Sequence, residues 1–382
     1  MAYHHIDIDC QQVSKKLGNP CGDAFVSKRT IYHTTLICAD GIGSGVKAHI
    51  ASQMNTARLN ELLQTGMSLR DAFFSVVDTM SRWRDGSMPF TAFTVARILN
   101  DGATTVLSYE MPPPIFLRSK RVQALQASPL VVHAGVANEY RCRLDAGDGL
   151  VLMSDGIVQS GMGKSYAMGW GIDGIEDFLR DWSDGGRPFY HVVRDLLRQA
   201  QKNDGHVQGD DKTVVAAYCR EGKMVQLLTG PASDRLRDME LVNDFLNSEG
   251  VKVVCGATTA DIVARCAQEE LEVEQKPLSF STPPRYFIKG IDLVTEGAVT
   301  LNQVYNILGE DLERESDGSA AADLAILLKS ADRVDFTVGC AQNPANKDIS
   351  YRKQGILHRE KVIPLIAGKL EQMGKLVSIQ KI

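Results

Sequence analysis

Four short segments place an aspartate next to glycine or at the end of an apolar, strand-like run. They are Gly22-Asp23-Ala24-Phe25, Ala39-Asp40-Gly41-Ile42-Gly43-Ser44-Gly45, Met153-Ser154-Asp155-Gly156 and Gly209-Asp210-Asp211-Lys212-Thr213. A carboxylate buried at a strand end destabilises a fold by several kcal/mol unless a cation neutralises it. Lys212 is the one basic residue within these segments, so a shared divalent cation would satisfy all of the carboxylates. Oxygen ligands without His or Cys favour Mg²⁺ or Mn²⁺ over zinc.

A simpler interpretation is available for each segment taken alone. An Asp-Gly pair at the end of a strand is most often an ordinary turn. Four such segments in one region of the chain, three of them after strongly apolar strands, favour the shared metal site. Spacing by itself leaves both interpretations open.

The elements that carry these segments fill residues 1–221, which we predict to form one domain. Strands are predicted at 23–28, 31–39, 90–99, 103–111, 114–118, 121–126, 138–144, 149–154 and 213–219. Helices are predicted at 44–64, 68–83, 173–183 and 188–202. Because strands occur in consecutive runs with helix pairs inserted, antiparallel sheets with helices outside are favoured over a parallel sheet.

The first predicted helix is recognised by Val46, Ile50, Met54 and Ala57, which recur at helical spacing. Ser44 is a suitable capping residue for this helix, and its glycine neighbours would let the backbone approach a metal ion or a phosphate. Ser68, followed by Asp71, predicts the start of the second helix.

After residue 221 the pattern changes, and we predict a second, smaller α/β domain over residues 222–382. Strands at 224–228 and 251–255 alternate with helices at 233–249 and 258–270. Further elements are predicted at 300–308, 318–330, 333–338, 359–373 and 375–380. Thr229-Gly230-Pro231 and Cys255-Gly256-Ala257-Thr258-Thr259 follow strands, where open α/β sheets bind small ligands. Thr258 or Thr259 is also simply a good helix cap.

Composition excludes several classes of protein. The 382 residues are 44% hydrophobic and 23% charged, with a net charge of −5, so nothing favours nucleic acid or an anionic membrane as a partner. No apolar run reaches the length of a membrane span, and the first ten residues lack the pattern of a secretion signal. Eight scattered cysteines without a CxxC pair are typical of a reducing compartment, so we expect a cytoplasmic protein.

The ordered set GDAF, ADGIGSG, LMSDGI and GDDKTVV resembles the metal-dependent protein phosphatase (PPM, protein phosphatase 2C-like) superfamily. Within it, the chain is similar to the SpoIIE-like bacterial branch over about residues 1–220, because that branch carries DG-x-G-[SH]-G. The resemblance implies an α+β fold. Its expected form is a four-layer α-β-β-α sandwich of two antiparallel sheets flanked by helix pairs, here followed by the smaller α/β domain.

The resemblance also implies roles for particular residues. Asp40 would bridge two Mn²⁺ or Mg²⁺ ions, with Asp155 and Asp210 completing one metal site. Asp23 and the backbone carbonyl of Gly41 would complete the other. The residues expected to carry catalysis are Asp40, Asp155 and Asp210. A water between the two metals would hydrolyse the phosphoester, so no nucleophilic side chain is expected. Asp211 would not bind a metal ion directly but would lie next to the residues that do.

Two departures from the family pattern affect chemistry. Animal-type relatives have a His as the candidate proton donor to the leaving group, and here this position is Ile42. Relatives often place an Arg just before the first Asp, whereas here the residues are Asn19, Pro20, Cys21 and Gly22. Phosphate binding would therefore rest mainly on the metals.

The leading hypothesis is thus a metal-dependent phosphoserine/phosphothreonine protein phosphatase in bacterial signalling. Its expected substrate is a small phosphoprotein such as an anti-sigma-factor antagonist. The second domain would bind a small ligand, dock a partner or form a homodimer, and by resemblance helices 44–83 would act as a regulatory switch. The alternatives are a non-catalytic regulatory protein that uses the phosphatase fold as a scaffold, and a small-molecule phosphohydrolase.

Overall fold

The computed structural model describes residues 3–16, 18–43, 45–82, 90–119, 121–133, 135–205, 209–273, 286–309, 319–341 and 356–382. The chain divides into two compact units, Tyr3–Glu221 and Gly222–Ile382. Among the described residues, no helix combines the length and the apolar character that crossing a membrane requires.

The first unit contains strands and helices in the alternation that the sequence predicts. Its strands are β1 (His4–Val13), β2 (Asp23–Arg29), β3 (His33–Gly41), β4 (Thr91–Leu99), β5 (Ala103–Tyr109), β6 (Ile115–Arg118), β7 (Arg121–Ala124), β8 (Ser128–Leu130), β9 (Ala137–Arg143), β10 (Asp148–Met153) and β11 (Lys212–Glu221). Its helices are α1 (Val46–Gln64), α2 (Leu69–Arg82), α3 (Asp155–Val158), α4 (Gly171–Asp184) and α5 (Val192–Asp204).

These strands form two antiparallel sheets. One has the order β2-β3-β4-β5-β9-β8 and the other the order β1-β11-β10-β6-β7. Aliphatic side chains from both sheets, such as Leu36, Val106, Leu152 and Val215, are buried in one cluster between them. The prediction of an α+β sandwich of two antiparallel sheets is therefore confirmed.

A helix pair covers the outer face of each sheet. Phe73 and Val76 of α2 are buried against Phe93 and Leu107 of the six-stranded sheet. On the other side, Leu179 of α4 and Leu196 of α5 are buried against the five-stranded sheet. Because the central strands are covered on both faces, they read as continuous apolar runs rather than as alternating ones.

Some local predictions are wrong or fall outside the described residues. The sequence analysis did not predict β1 or β8, although β1 pairs with β11 along ten residues, from His4 opposite Glu221 to Val13 opposite Lys212. Helix α1 begins at Val46 with Gly45 in the capping position, and Ser44 lies outside the described residues. The predicted start of α2 is confirmed, since the hydroxyl oxygen of Ser68 accepts a hydrogen bond from the backbone N–H of Asp71.

The second unit is a sheet with helices on both faces. Its strands are β12 (Met224–Thr229), β13 (Val251–Cys255), β14 (Glu272–Val273), β15 (Tyr286–Phe287), β16 (Leu293–Thr295), β17 (Arg333–Val338) and β18 (Leu376–Lys381). Its helices are α6 (Asp238–Asn247), α7 (Ala257–Ala267), α8 (Ala298–Ile307), α9 (Ala320–Ser330) and α10 (Arg359–Gln372). The order is β14-β15-β16-β13-β12-β17-β18. Its last five strands, β16, β13, β12, β17 and β18, are parallel to one another.

The predicted α/β character of the second unit is confirmed, while its capping prediction is wrong. Gly256 occupies the capping position of α7, and no side chain caps that helix. The hydroxyl of Thr259 instead accepts a hydrogen bond from the backbone N–H of Gly230, which ties the loop after β12 to the loop after β13. The short strands β14, β15 and β16 were not predicted, because two or three residues give no periodic signal.

Candidate active site

Two of the candidate ligands lie opposite each other on neighbouring strands. Asp23 begins β2 and Asp40 stands one residue from the end of β3, and the antiparallel register pairs them directly. In such a pair the Cβ atoms are about 4.5–5.5 Å apart, so both side chains can reach a common point. The β2–β3 hairpin therefore brings together two carboxylates that are 17 positions apart in the sequence.

Asp155 joins this pair from the other sheet. It begins the short helix α3, directly after the buried strand β10. The carboxyl groups of Asp155 and Asp40 lie close enough that each affects the pKa of the other. The amide of Gln159 donates a second hydrogen bond to Asp155, at 2.8 Å.

Asp210 and Asp211 differ in their surroundings although they are neighbours. Asp211 Oδ1 accepts a hydrogen bond from the backbone N–H of Lys15 at 2.6 Å, and Oδ2 accepts one from that of Gly22 at 2.9 Å. Asp210 is partly exposed, with Oδ1 at 3.5 Å from the Lys15 ammonium, and its charge acts on Asp40 and Asp155. Asp211 thus holds the backbone, while Asp210 is the more exposed of the two and adds negative charge near Asp40 and Asp155.

One oxygen of Asp23 has an unusual environment. Thr213 Oγ1 donates a hydrogen bond to Asp23 Oδ2 at 2.6 Å, and the nearby hydroxyl of Ser154 helps to lower the pKa of this carboxyl. The other oxygen, Oδ1, is buried and accepts no hydrogen bond from the described residues. A buried carboxylate oxygen without a partner is strongly destabilising, so this atom fits a cation that the protein would bind.

The cluster holds its protons tightly in the absence of a cation. Burial, together with the charges of Asp211 and Asp155, raises the pKa of Asp23 to about 6. Burial and the neighbouring charges of Asp23 and Asp155 raise the pKa of Asp40 well above its usual range, and burial also raises the pKa of Asp155. Carboxylates crowded in this way resist ionisation unless positive charge is supplied.

Two glycines allow the backbone segments around the cluster to approach closely. A Cβ on Gly41 would lie 2.2 Å from the carbonyl oxygen of Ala48 in α1, and a Cβ on Gly156 would lie 2.0 Å from that of Asp211. Helix α1 is also tied to β2, because His49 Nδ1 lies 2.8 Å from the carbonyl oxygen of Cys21. Any side chain at Gly41 or Gly156 would therefore push apart the segments that carry the aspartates.

A buried ion pair that the sequence analysis did not predict supports the Asp210 loop. Lys212 Nζ lies 2.5 Å from Asp204 Oδ2, and both side chains are almost fully buried. Asp204 also accepts hydrogen bonds from the backbone N–H groups of Gly161 and Gly209. The available signal was a lysine at the start of a strongly apolar strand, a position where a basic residue needs a buried acidic partner.

The donor chemistry of the cluster fits a divalent cation. Among the described residues, no three His, Cys, Asp or Glu side chains stand in the arrangement of a preformed metal site. The same described residues supply no ion pair to Asp23, Asp40 or Asp155 from Lys or Arg. A set of buried carboxylates without basic partners, one with an unpartnered oxygen, has the ligand chemistry that Mg²⁺ and Mn²⁺ prefer.

Comparison with known proteins identifies the first unit. Residues 32–220 match the family described as Stage II sporulation protein E (SpoIIE). Stage II sporulation protein E of Bacillus subtilis (strain 168) is 29% identical over 126 residues, which are 32% of this chain and 15% of that protein. The protein of the same name from Priestia megaterium is 30% identical over 130 residues, 32% of this chain and 22% of its own length.

The match therefore spans less than a quarter of either relative. A solved structure of the PP2C phosphatase domain and a regulatory-domain fragment of SpoIIE from Bacillus subtilis covers 58% of this chain and 65% of its own. It is 20% identical and superposes with a TM-score of 0.49. The family match over residues 32–220 confirms that this segment resembles the SpoIIE-like branch of the metal-dependent protein phosphatase superfamily.

Proposed function

We propose that the first unit is a Mg²⁺- or Mn²⁺-dependent phosphatase that acts on phosphoserine and phosphothreonine in a signalling protein. The observation that carries this proposal is the carboxylate cluster of Asp23, Asp40 and Asp155, with the unpartnered, buried Oδ1 of Asp23. Membership of a phosphatase family is consistent with it.

The residues that would hold two cations are those expected from the sequence. Asp40 would contribute to both ions, Asp155 and Asp210 to one, and Asp23 with the Gly41 carbonyl to the other. When bound, divalent cations lower the pKa of water and neutralise the charge on phosphoryl oxygens. Ionisation of the cluster would accompany binding, because the raised pKa values of Asp23 and Asp40 describe the cation-free state.

The remaining side chains position the ligands. Thr213 orients Asp23 through its hydroxyl group, and Asp211 fixes the backbone of Gly22 immediately before it. No acidic or imidazole side chain follows Gly41, because Ile42 is there and is exposed. Solvent would therefore protonate the departing serine or threonine oxygen in this protein.

The test is hydrolysis of p-nitrophenyl phosphate by the full chain with Mn²⁺ or Mg²⁺, before and after chelation. Activity should require the cation and should be lost in Asp40→Asn. Asp177→Asn is a matched control, because it removes an exposed carboxylate on α4. Activity that survives chelation and the Asp40 substitution would contradict the proposal. Hydrolysis of the small ester without hydrolysis of any phosphoprotein would favour the small-molecule phosphohydrolase.

Binding without hydrolysis would favour a regulatory scaffold. The carboxylate cluster argues against a regulatory scaffold, because a scaffold does not require crowded, mutually repelling aspartates. A regulatory, ligand-binding or dimerising role for Gly222–Ile382 stays a prediction, as does a cytoplasmic location.

A further inference from the structure

Helix α1 has an inverted distribution of side chains. Its buried face consists of small or polar residues and one leucine: Ala48, Ala51, Ser52, Asn55, Thr56 and Leu59. Three large aliphatic residues in its first half face solvent instead, with exposed fractions of 61% for Val46, 49% for Ile50 and 60% for Met54. Ile42, in the loop before the helix, is exposed to 61%. We call Ile42, Val46, Ile50 and Met54 the apolar stripe.

The geometry of a helix makes this stripe continuous. Positions 46, 50 and 54 are four residues apart, so they lie on one side of the helix over about 12 Å. Buried apolar surface stabilises a fold, and a helix that turns its large aliphatic residues outward gives up that gain. A stripe of this kind commonly marks a site of interaction with another protein.

The stripe starts at the candidate active site. Ile42 follows Gly41 directly, and the opposite side of α1 contacts the strands that bear the aspartates, through Ala48 against Gly41 and His49 against the carbonyl of Cys21. A protein that lies along the stripe therefore also reaches the carboxylate cluster. This continuity favours the substrate as its occupant.

Charge restricts the chemistry of that occupant. The chain has no Asp or Glu between residues 41 and 60, whereas Lys47 and Arg58 are both exposed on α1. A complementary surface would carry aliphatic side chains with carboxylates beside them. The stripe offers on the order of a few hundred Å², the size of a single patch on a monomer. A stable dimer buries about 800 Å² on each partner, so the stripe alone fits a transient partner better.

We infer that the apolar stripe is the docking surface for the phosphoprotein substrate, which it recognises through an apolar and acidic surface near the phosphorylated residue. This inference rests on the proposed phosphatase function and adds the source of substrate affinity. The segment before Asp23 contains no arginine for the phosphate, so affinity beyond what the metals would supply has to come from contacts outside the phosphate. The stripe supplies such contacts.

The experiment compares the double variant Ile50→Gln/Met54→Gln with Val131→Gln in the full chain. Val131 is exposed and follows β8, the edge strand five places from β2, about 24 Å away across the sheet. The substrates are p-nitrophenyl phosphate and phosphoserine β-casein, an acidic chain with apolar segments. We expect KM for β-casein to rise at least ~10-fold in the double variant, with both constants for the small ester unchanged.

A second measurement separates docking from catalysis. Binding of labelled phospho-β-casein is titrated in EDTA. The Kd of the double variant should be higher than that of the wild type by a factor similar to the change in KM, and the Kd of Val131→Gln should be unchanged. Unchanged KM and Kd, or no binding by the wild type, would overturn the docking inference. Light scattering that shows a wild-type dimer and a monomeric double variant would overturn it too, in favour of a second copy. Stripe-dependent binding without any hydrolysis would instead overturn the proposed function.

Discussion

Lys212 Nζ lies 2.5 Å from Asp204 Oδ2 in a nearly solvent-free environment, and this pair fixes the loop that carries Asp210. Burial alone would raise the pKa of Asp204, but Lys212 and the backbone N–H groups of Gly209 and Gly161 outweigh burial and lower it. The pair therefore stabilises the fold at neutral pH and keeps the candidate ligand loop in place.

We predict that Lys212→Met destabilises the protein by roughly 3–5 kcal/mol, because it leaves the Asp204 charge buried without its partner. Urea unfolding at pH 7 measures this, and Lys202→Met, at an exposed position on α5, is the control. Adding Asp204→Asn to Lys212→Met should recover part of the loss. The effect should shrink as the pH falls, because without Lys212 burial raises the pKa of Asp204 and the folded variant takes up a proton there. An effect independent of pH would show that packing, rather than charge, explains it.

Asp40 and Asp211 should respond in opposite ways to replacement by Asn. Asp40→Asn should lower phosphatase activity by at least ~10³-fold, while the metal-free fold stays as stable or becomes more stable, because repulsion in the cluster is relieved. Asp211→Asn should be far milder for activity. It should lower stability by roughly 1–3 kcal/mol, since an amide nitrogen would face the N–H of Lys15 or Gly22. Equal activity losses would mean that the roles of Asp210 and Asp211 are assigned wrongly.

The metal-free protein should lose stability as the pH rises through the cluster's titration. Asp23 titrates near 6 in the fold and near 3.9 when unfolded, so the folded state binds more protons between these values. Its neutral form favours folding below about pH 4, and that contribution disappears as the pH passes 6. In EDTA, the free energy of unfolding of Asp23→Asn should therefore increase relative to that of the wild type from pH 4 to pH 7. A constant difference would indicate that Asp23 titrates normally.

A chain that ends at Glu221 should fold and retain cation-dependent hydrolysis of p-nitrophenyl phosphate. Every candidate ligand lies within the compact unit Tyr3–Glu221. We also expect its activity toward a phosphoprotein to differ from that of the full chain. Circular dichroism and kinetics at matched metal concentration are the measurements. A folded but inactive fragment would show that residues after 221 contribute to the site.

The sequence predicted those parts of the fold whose signals are local. Runs such as 33–41 and 148–153 are strongly apolar because both faces of these strands are buried, and glycines mark their ends. Strand β1 was missed because its central residues are half-exposed and polar. The alternation of elements after residue 221 was recovered in the same way, except for strands too short to show a period.

Other features depend on contacts that no local pattern reveals. The spacing of Val46, Ile50 and Met54 correctly predicted a helix, but a core helix would bury such residues, and here they face solvent. The pairing of Lys212 with Asp204 arises from the packing of α5 on β11. The hydrogen bond by which Asp211 holds Gly22 joins residues 189 positions apart in the sequence. Asp23 and Asp40 lie opposite each other on paired strands, and the roles of the aspartate motifs as metal ligands stay predictions.

Titration of the full chain with Mn²⁺, with the free ion measured by electron paramagnetic resonance, shows whether the aspartate cluster binds two cations. We expect two Mn²⁺ bound per wild-type chain, release of protons on binding at pH 6, and loss of binding in Asp40→Asn but not in Asp177→Asn. Wild-type protein that hydrolyses a phosphoester while binding no Mn²⁺ or Mg²⁺, or an Asp40→Asn variant that binds both ions normally, would contradict this expectation.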